Sequence, residues 1–202
     1  MEQLSFFGEA GQTPGLPQDI LEYHPNIFTS TESAAFLKFF IDTISWEQKM
    51  IMMYGKEMIT PRLTAWYGDP EKTYAYTGNH FNPLPWTNEL LEIKQRIEPL
   101  ANIKFNSVLL NYYRNGNDSV AWHSDNENEL GDRPLIASVS FGQVRRFDIR
   151  HKQDHQRKYA INLENGSLLL MKGDLQQDWE HRIAKSTKPM RERVNLTFRV
   201  IR

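Results

Sequence analysis

The segment Arg193-Val-Asn-Leu-Thr-Phe-Arg199 limits the possible folds more than any other stretch of the chain. Arg193, Asn195, Thr197 and Arg199 alternate with Val194, Leu196, Phe198 and Val200. A period of two marks extended backbone, whose successive side chains point to opposite faces of a sheet. One face is apolar and demands burial, while the other carries two guanidinium groups, an amide and a hydroxyl. Two readings of that polar face compete. It faces water on a half-buried strand, or it forms a clamp for a dicarboxylate, because guanidinium forks bind carboxylates in bidentate pairs.

Further strands are predicted at Met50–Tyr54, Arg62–Tyr67, Phe105–Tyr113, Leu135–Phe141, Arg146–Arg150, Tyr159–Leu163, Ser167–Met171 and Arg193–Ile201. Turn chemistry at Asn115-Gly116, Asn165-Gly166 and Lys172-Gly173 separates several of them. Two helices precede most of these strands. The first starts near Ser30 or Thr31, with Leu37, Phe40, Ile41 and Ile44 on one face. The second starts at Thr87 or Asn88, with Leu90, Ile93, Ile97 and Leu100 at spacings of three and four. Residues 1–28, with Pro14, Pro17 and Pro25, read as an irregular leader. The pattern implies a single α+β or mainly β domain over 1–202, in which a double sheet holds a site at one open end.

Trp122-His-Ser-Asp125 supplies the candidate chemistry. His123 and Asp125, two apart in an extended segment or the loop after it, reach a common point, and His181 stands 56 residues beyond Asp125. Two histidines and one carboxylate on one face of a metal leave the opposite face open, the coordination of non-haem Fe(II) oxygenases. A histidine donating to a nearby carboxylate on the surface is the bland alternative. The arginine clamp near the end of the chain favours the metal, and iron beside a dicarboxylate clamp points to 2-oxoglutarate.

The order Asn111-x-Tyr113, His123-x-Asp125, His181, then Arg193-Val-Asn195-Leu-Thr197-Phe-Arg199 resembles the AlkB family of Fe(II)/2-oxoglutarate dioxygenases from about Tyr54 to Arg202. The likeness is strongest to the branch of DNA repair demethylases typified by the second human AlkB homologue. That resemblance implies a double-stranded β-helix, or jelly roll, over 105–202, flanked by the two helices, and a nucleotide-recognition segment over 50–86. It also implies Fe(II) on His123, Asp125 and His181, 2-oxoglutarate against Asn111, Tyr113, Arg193, Asn195, Thr197 and Arg199, and O2 as the second co-substrate. The expected reaction is oxidative demethylation of 1-methyladenine and 3-methylcytosine in alkylated DNA, releasing formaldehyde, succinate and CO2. RNA demethylation and a catalytically silent nucleic-acid-binding jelly roll are the alternatives, with a generic metal-binding cupin behind them.

For the base pocket, Tyr54-Gly55-Lys56 is similar to a Phe-Gly-Lys segment lying on DNA in those repair enzymes, with Tyr replacing Phe. Tyr74-Ala75-Tyr76 matches a Tyr-Thr-aromatic segment with Ala75 in place of Thr. Asn126 stands where the relatives carry an acid, and Glu127 matches. Core packing is the competing reading for each aromatic.

The chain has no cysteine, so histidine and carboxylate must do any metal work. The N-terminus has no basic stretch followed by an apolar core, and no apolar run nears membrane-spanning length. The expectation is a soluble monomer, cytoplasmic, or nuclear in a eukaryote, without membrane association. Net charge is −1, but residues 1–132 hold 9 Lys+Arg and 18 Asp+Glu while residues 133–202 hold 15 and 7. Basic residues from Arg145 to Lys158, with Arg182, Lys185, Lys188 and Arg191, read as a phosphate-tracking patch or a solvated sheet face, and Lys56 joins the phosphate contacts.

Overall fold

The computed structural model describes residues 15–48, 50–53, 56–70, 74–76 and 79–202. In chain order its elements are β1 (Leu21–His24), α1 (Ser30–Thr43), β2 (Met50–Met53), β3 (Lys56–Ile59), β4 (Leu63–Gly68), β5 (Tyr74–Tyr76), β6 (Asn79–Phe81), α2 (Asn88–Ala101), β7 (Ser107–Tyr113) and β8 (Val120–His123). There follow β9 (Ile136–Gly142), β10 (Arg145–His151), β11 (Lys158–Leu163), β12 (Ser167–Met171), α3 (Leu175–Asp178), β13 (Trp179–Ile183) and β14 (Arg193–Arg199).

From β7 onward the chain passes between two antiparallel sheets. The major sheet has the order β1-β12-β9-β14-β7-β4 and the minor sheet β11-β10-β13-β8, while β2–β3 and β5–β6 pair separately. This is the expected mainly β, double-stranded β-helix, with α1 packed on β9 and β14.

Two apolar layers follow from the period of two. Val194, Leu196 and Phe198 of β14 are fully buried in the layer between the major sheet and the helices, with Phe36, Phe40, Leu90, Ile93 and Ile97. The second layer lies between the sheets and contains Tyr113, Ile136, Phe147, Ile149, Leu169 and Trp179. Most of the polar row of β14 is therefore shielded from water, with Arg199 at its end partly exposed. Arg193, Asn195 and Thr197 face the between-sheet space and are buried.

The helix starts are set by side chains. Thr29 accepts a hydrogen bond from the Glu32 amide at 3.2 Å while Glu32 Oε2 accepts one from the Thr29 amide at 2.8 Å, a reciprocal capping box. The cap is Thr29 rather than Ser30 or Thr31 because only Thr29 has a glutamate three residues on. Thr87 caps α2 through the Leu90 amide, as its position suggests.

The expectation of an irregular 1–28 is corrected at β1, which pairs with β12 from Leu21 opposite Met171 to His24 opposite Leu168. Burial of Leu21 and Tyr23 between the sheets drives this edge strand, and the Tyr23 hydroxyl donates to Asn162 O and accepts from the Glu164 amide, both at 3.1 Å.

Phe141 of β9 lies against the rings of Phe28, Phe36 and Phe40, with centroids 5.3, 5.3 and 6.2 Å away. Phe141→Ala is expected to cost about 3–5 kcal/mol in denaturant unfolding. Val144→Ala, at an exposed neighbouring position, should stay within about 0.5 kcal/mol.

Candidate metal and dicarboxylate site

Strand β8 ends at His123, β13 carries His181 in its middle, and the register sets these two residues opposite each other. Their rings are 4.4 Å apart between centroids. Asp125 follows β8 in a loop fixed at both sides, since Ser124 Oγ donates to Trp179 O at 2.8 Å and the Asp125 amide donates to Gln176 Oε1 at 2.9 Å. One ligand atom from each of His123, Asp125 and His181 falls within 4.8 Å of the others. Donors held about 2.1 Å from one ion stand at most roughly 4.2 Å apart, so a small side-chain adjustment is enough to close such a site.

Electrostatics favour a cation there. His123 Nδ1 lies 2.9 Å from Ala121 O and 3.1 Å from His181 O, which places its proton on Nδ1 and leaves the Nε2 lone pair toward Asp125 Oδ1, 3.7 Å away. His181 is 3% exposed and its Nδ1 is buried without a partner. Burial, reinforced by His123, lowers its pKa to about 3, so the imidazole is neutral at pH 7. Burial pushes Asp125 up, but Arg199 and then the histidines outweigh it and bring the carboxyl down to about 2. Arg199 Nη2 holds Asp125 Oδ2 at 3.0 Å. A carboxylate and a neutral imidazole kept ready by their surroundings fit a divalent ion.

Beside them lies the inner face of the major sheet. Register aligns Asn195 with Asn111 on β7 and Ser140 on β9, and Arg193 with Tyr113. Arg193 is 1% exposed, donates through Nη2 to Ser140 Oγ at 3.0 Å and leaves Nε and Nη1 without partners. Burial lowers its pKa to about 10, still charged at neutral pH. Asn195 donates to Ser138 Oγ at 2.8 Å and Val139 O at 2.9 Å, and Thr197 Oγ1 donates to Asn195 Oδ1 at 3.2 Å. Asn111 Oδ1 accepts from Arg62 Nε at 2.7 Å. A buried guanidinium with spare donors, set among amides and hydroxyls, is suited to a carboxylate.

The profile of the 2OG-Fe(II) oxygenase superfamily matches residues 21–199. The chain belongs to that superfamily. Within this superfamily, it is of the AlkB type. It is 39% identical over 186 residues to the human alpha-ketoglutarate-dependent dioxygenase alkB homolog 3, covering 88% of this chain and 65% of that protein. It is 38% identical over 158 residues to the human DNA oxidative demethylase ALKBH2, covering 75% of this chain and 60% of that protein. The chain thus spans less than two thirds of either relative. The solved OsALKBH1 structure superposes with a TM-score of 0.60 over 89% of this chain and 97% of that one, at 15% identity, which shows a shared fold. Fe(II) and 2-oxoglutarate are the cofactor and co-substrate of the superfamily, and the donor set and the spare Arg193 donors fit both.

The oxygenase's other predicted residues fall at different distances from this centre. Glu127 is close, with Oε1 4.0 Å from Arg199 Nη1 and a buried Oε2 lacking a partner, whereas Asn126 is exposed. Lys56 opens β3 and Tyr74-Ala75-Tyr76 make up β5, but Tyr54 and Gly55 lie outside the described residues. Arg146, Arg150, Lys158 and Arg182 line an open cavity of about 510 Å³ on the outer face of the minor sheet. There Trp122 lies between the guanidinium groups of Arg150 and Arg182, 4.1 and 4.4 Å from its ring centroid. Arg145 is a correction to the predicted phosphate patch. It is 2% exposed and points inward, because adjacent residues of a strand face opposite ways. Sequence reading also missed Arg62, Ser138 and Ser140, whose contacts arise from register, and Gln176, whose contact arises from the docking of α3; the Ser138-x-Ser140 alternation was the one visible signal.

The depressed His181 pKa has a consequence for stability. Between its ordinary 6.5 and about 3 the unfolded chain binds a proton that the native chain does not, so stability falls as pH drops through that window. In metal-free protein, urea melts from pH 6.5 to 4 should show wild type losing up to about 1.4 kcal/mol per pH unit more than His181→Asn.

Proposed function

We propose that this chain oxidatively removes N-alkyl groups from nucleic-acid bases, with 1-methyladenine and 3-methylcytosine lesions in DNA as its substrates, a direct-reversal repair. The observation that carries the reading is the convergence of His123, Asp125 and His181, tied through the Arg199–Asp125 ion pair to the strand whose inner face also carries a buried Arg193 with two unpartnered donors. Relatives whose names describe DNA oxidative demethylation support the substrate class.

His123, Asp125 and His181 would hold Fe(II), which with 2-oxoglutarate and O2 supplies hydroxylation of the N-alkyl carbon. The hydroxylated N-methyl group then leaves as formaldehyde, the base nitrogen keeping the C–N bonding pair while the hydroxyl proton is released, and the co-substrate ends as succinate and CO2. The chain's residues do the positioning. Arg193, with Asn111, Tyr113, Asn195 and Thr197, offers the dicarboxylate its compensating charge and donors, and Arg199 orients Asp125 through the 3.0 Å ion pair. The neutral His181 keeps one ring-nitrogen lone pair for a metal at physiological pH.

Tyr54, Gly55, Lys56, Tyr74, Ala75 and Tyr76 would take up the extruded base and its flanking backbone, with Asn126 and Glu127 at its polar edge. A base must leave the stack before this chemistry, and a lesion that has lost its pairing leaves more easily. Arg146, Arg150, Lys158 and Arg182 would meet phosphates.

The deciding experiment is mass spectrometry of methylated oligonucleotides after incubation with enzyme, Fe(II), 2-oxoglutarate and ascorbate. The reading expects loss of one methyl mass from 1-methyladenine DNA by wild type and none by Asp125→Ala. An unchanged mass with wild type contradicts it, and loss only from a matched RNA strand moves the substrate to RNA. Replacing Arg146 and Lys158 together by Glu should flatten the plot of log affinity against log salt by about one unit per lost phosphate contact. An unchanged slope removes that surface from the interface.

A further inference from the structure

Arg145 begins β10, yet its side chain turns away from the basic outer face and into the protein, where it is 2% exposed. Its guanidinium donates to three backbone carbonyls: Asn115 O at 3.3 Å, Asp118 O at 2.9 Å and Ala184 O at 2.8 Å. These are dipoles, and the one acid whose charge supports Arg145, Asp118, acts from a distance rather than as a direct ion pair. The nearby Asp118 carboxylate is engaged by Arg114, through the backbone amide at 2.9 Å, Nε at 2.8 Å and Nη2 at 2.9 Å. A neutral amide side chain could satisfy carbonyls without the desolvation cost of a buried cation. A guanidinium at this point is therefore expensive unless an anion comes close.

The ring of Tyr113 connects Arg145 to the candidate dicarboxylate pocket. Arg145 lies 5.4 Å from its centroid and Arg193 lies 5.0 Å from it, so two buried guanidinium groups pack on one aromatic ring. Arg145 also ties the turn after Tyr113 to Ala184, just beyond β13, the strand that carries His181.

We infer that Arg145 is a positioning residue of the 2-oxoglutarate pocket, holding Tyr113 against Arg193 and adding a second buried positive charge that a dianion neutralises. The inference rests on the reading of that pocket given above. Burial lowers the pKa of Arg145 although Asp118 supports its charge, and burial and then Arg145 lower that of Arg193, so each added positive charge here favours a bound anion.

The test uses the full chain loaded with Mn(II), with 2-oxoglutarate titrated against thermal unfolding, and steady-state demethylation with the Fe(II) enzyme. Arg145→Gln should raise the half-saturating 2-oxoglutarate concentration roughly tenfold in both measurements, with kcat within about twofold of wild type. Arg145→Lys, which restores the charge but reaches fewer carbonyls, should raise it only about threefold. A folded Arg145→Gln chain with wild-type half-saturation, or one that loses kcat at unchanged KM, overturns the inference. Should Arg145→Gln fail to fold, wild-type half-saturation in Arg145→Lys overturns it. A wild-type chain that binds Mn(II) yet does not respond to 2-oxoglutarate would remove the pocket reading itself, and Arg145's place in it.

Discussion

Arg193 is a full positive charge on the strand at the middle of the major sheet, 1% exposed and with two donors unmet. Removing a guanidinium from water costs several kcal/mol, and a neutral hydroxyl such as Ser140 Oγ returns little of it. The neighbouring strands are organised around this cost. Register brings Tyr113 and the Asn111–Asn195–Ser140 row to the same inner face, while the outer face of β14 is packed entirely with Val194, Leu196 and Phe198. The apolar half of one strand holds the sheet against the helices, and the polar half defines the pocket.

The second constraint is cross-strand. His123 and His181 are far apart in sequence and meet because β8 pairs with β13 through backbone bonds. Asp125 then needs a fixed loop, which is tied by the Ser124 hydroxyl to Trp179 O of β13 and by Gln176 of α3 to the Asp125 amide. The two sheets thus supply different halves of the centre, the minor sheet and its β8 loop the metal donors and the major sheet the dicarboxylate donors, and the jelly roll holds them face to face at one end.

Much of this was legible because strands with a period of two announce themselves. The strands β9, β10 and β14 lie where the sequence pattern puts them, with ends shifted by a residue or two, and β12, an apolar run without alternation, lies between the turns at Asn165-Gly166 and Lys172-Gly173. Both helices lie where their apolar spacing puts them, but Leu100 is exposed and Ala101 takes its place on the buried face of α2, while Phe36 joins Phe40 on that of α1. β8 and β13 were not resolved as strands, since Val120-Ala-Trp-His123 has no clear alternation and Gln176-Gln-Asp178 before Trp179 looks like a polar loop. Pairing between them supplies what local sequence lacks. Arg145 shows the same limit from the other side. In sequence it belongs with Arg146 and Arg150, but a strand separates neighbours onto opposite faces, so one arginine of the run enters the protein. The Arg62 contact depends on strand register across 49 residues and the Gln176 contact on where α3 docks across 51, which no local pattern encodes.

The most direct check of the whole account is a crystal structure of the chain grown with Mn(II) and 2-oxoglutarate. The account requires one anomalous peak shared by His123, Asp125 and His181, with density for the dicarboxylate reaching the Nε and Nη1 donors of Arg193. Manganese bound elsewhere, or a co-substrate that leaves those donors untouched, would contradict it.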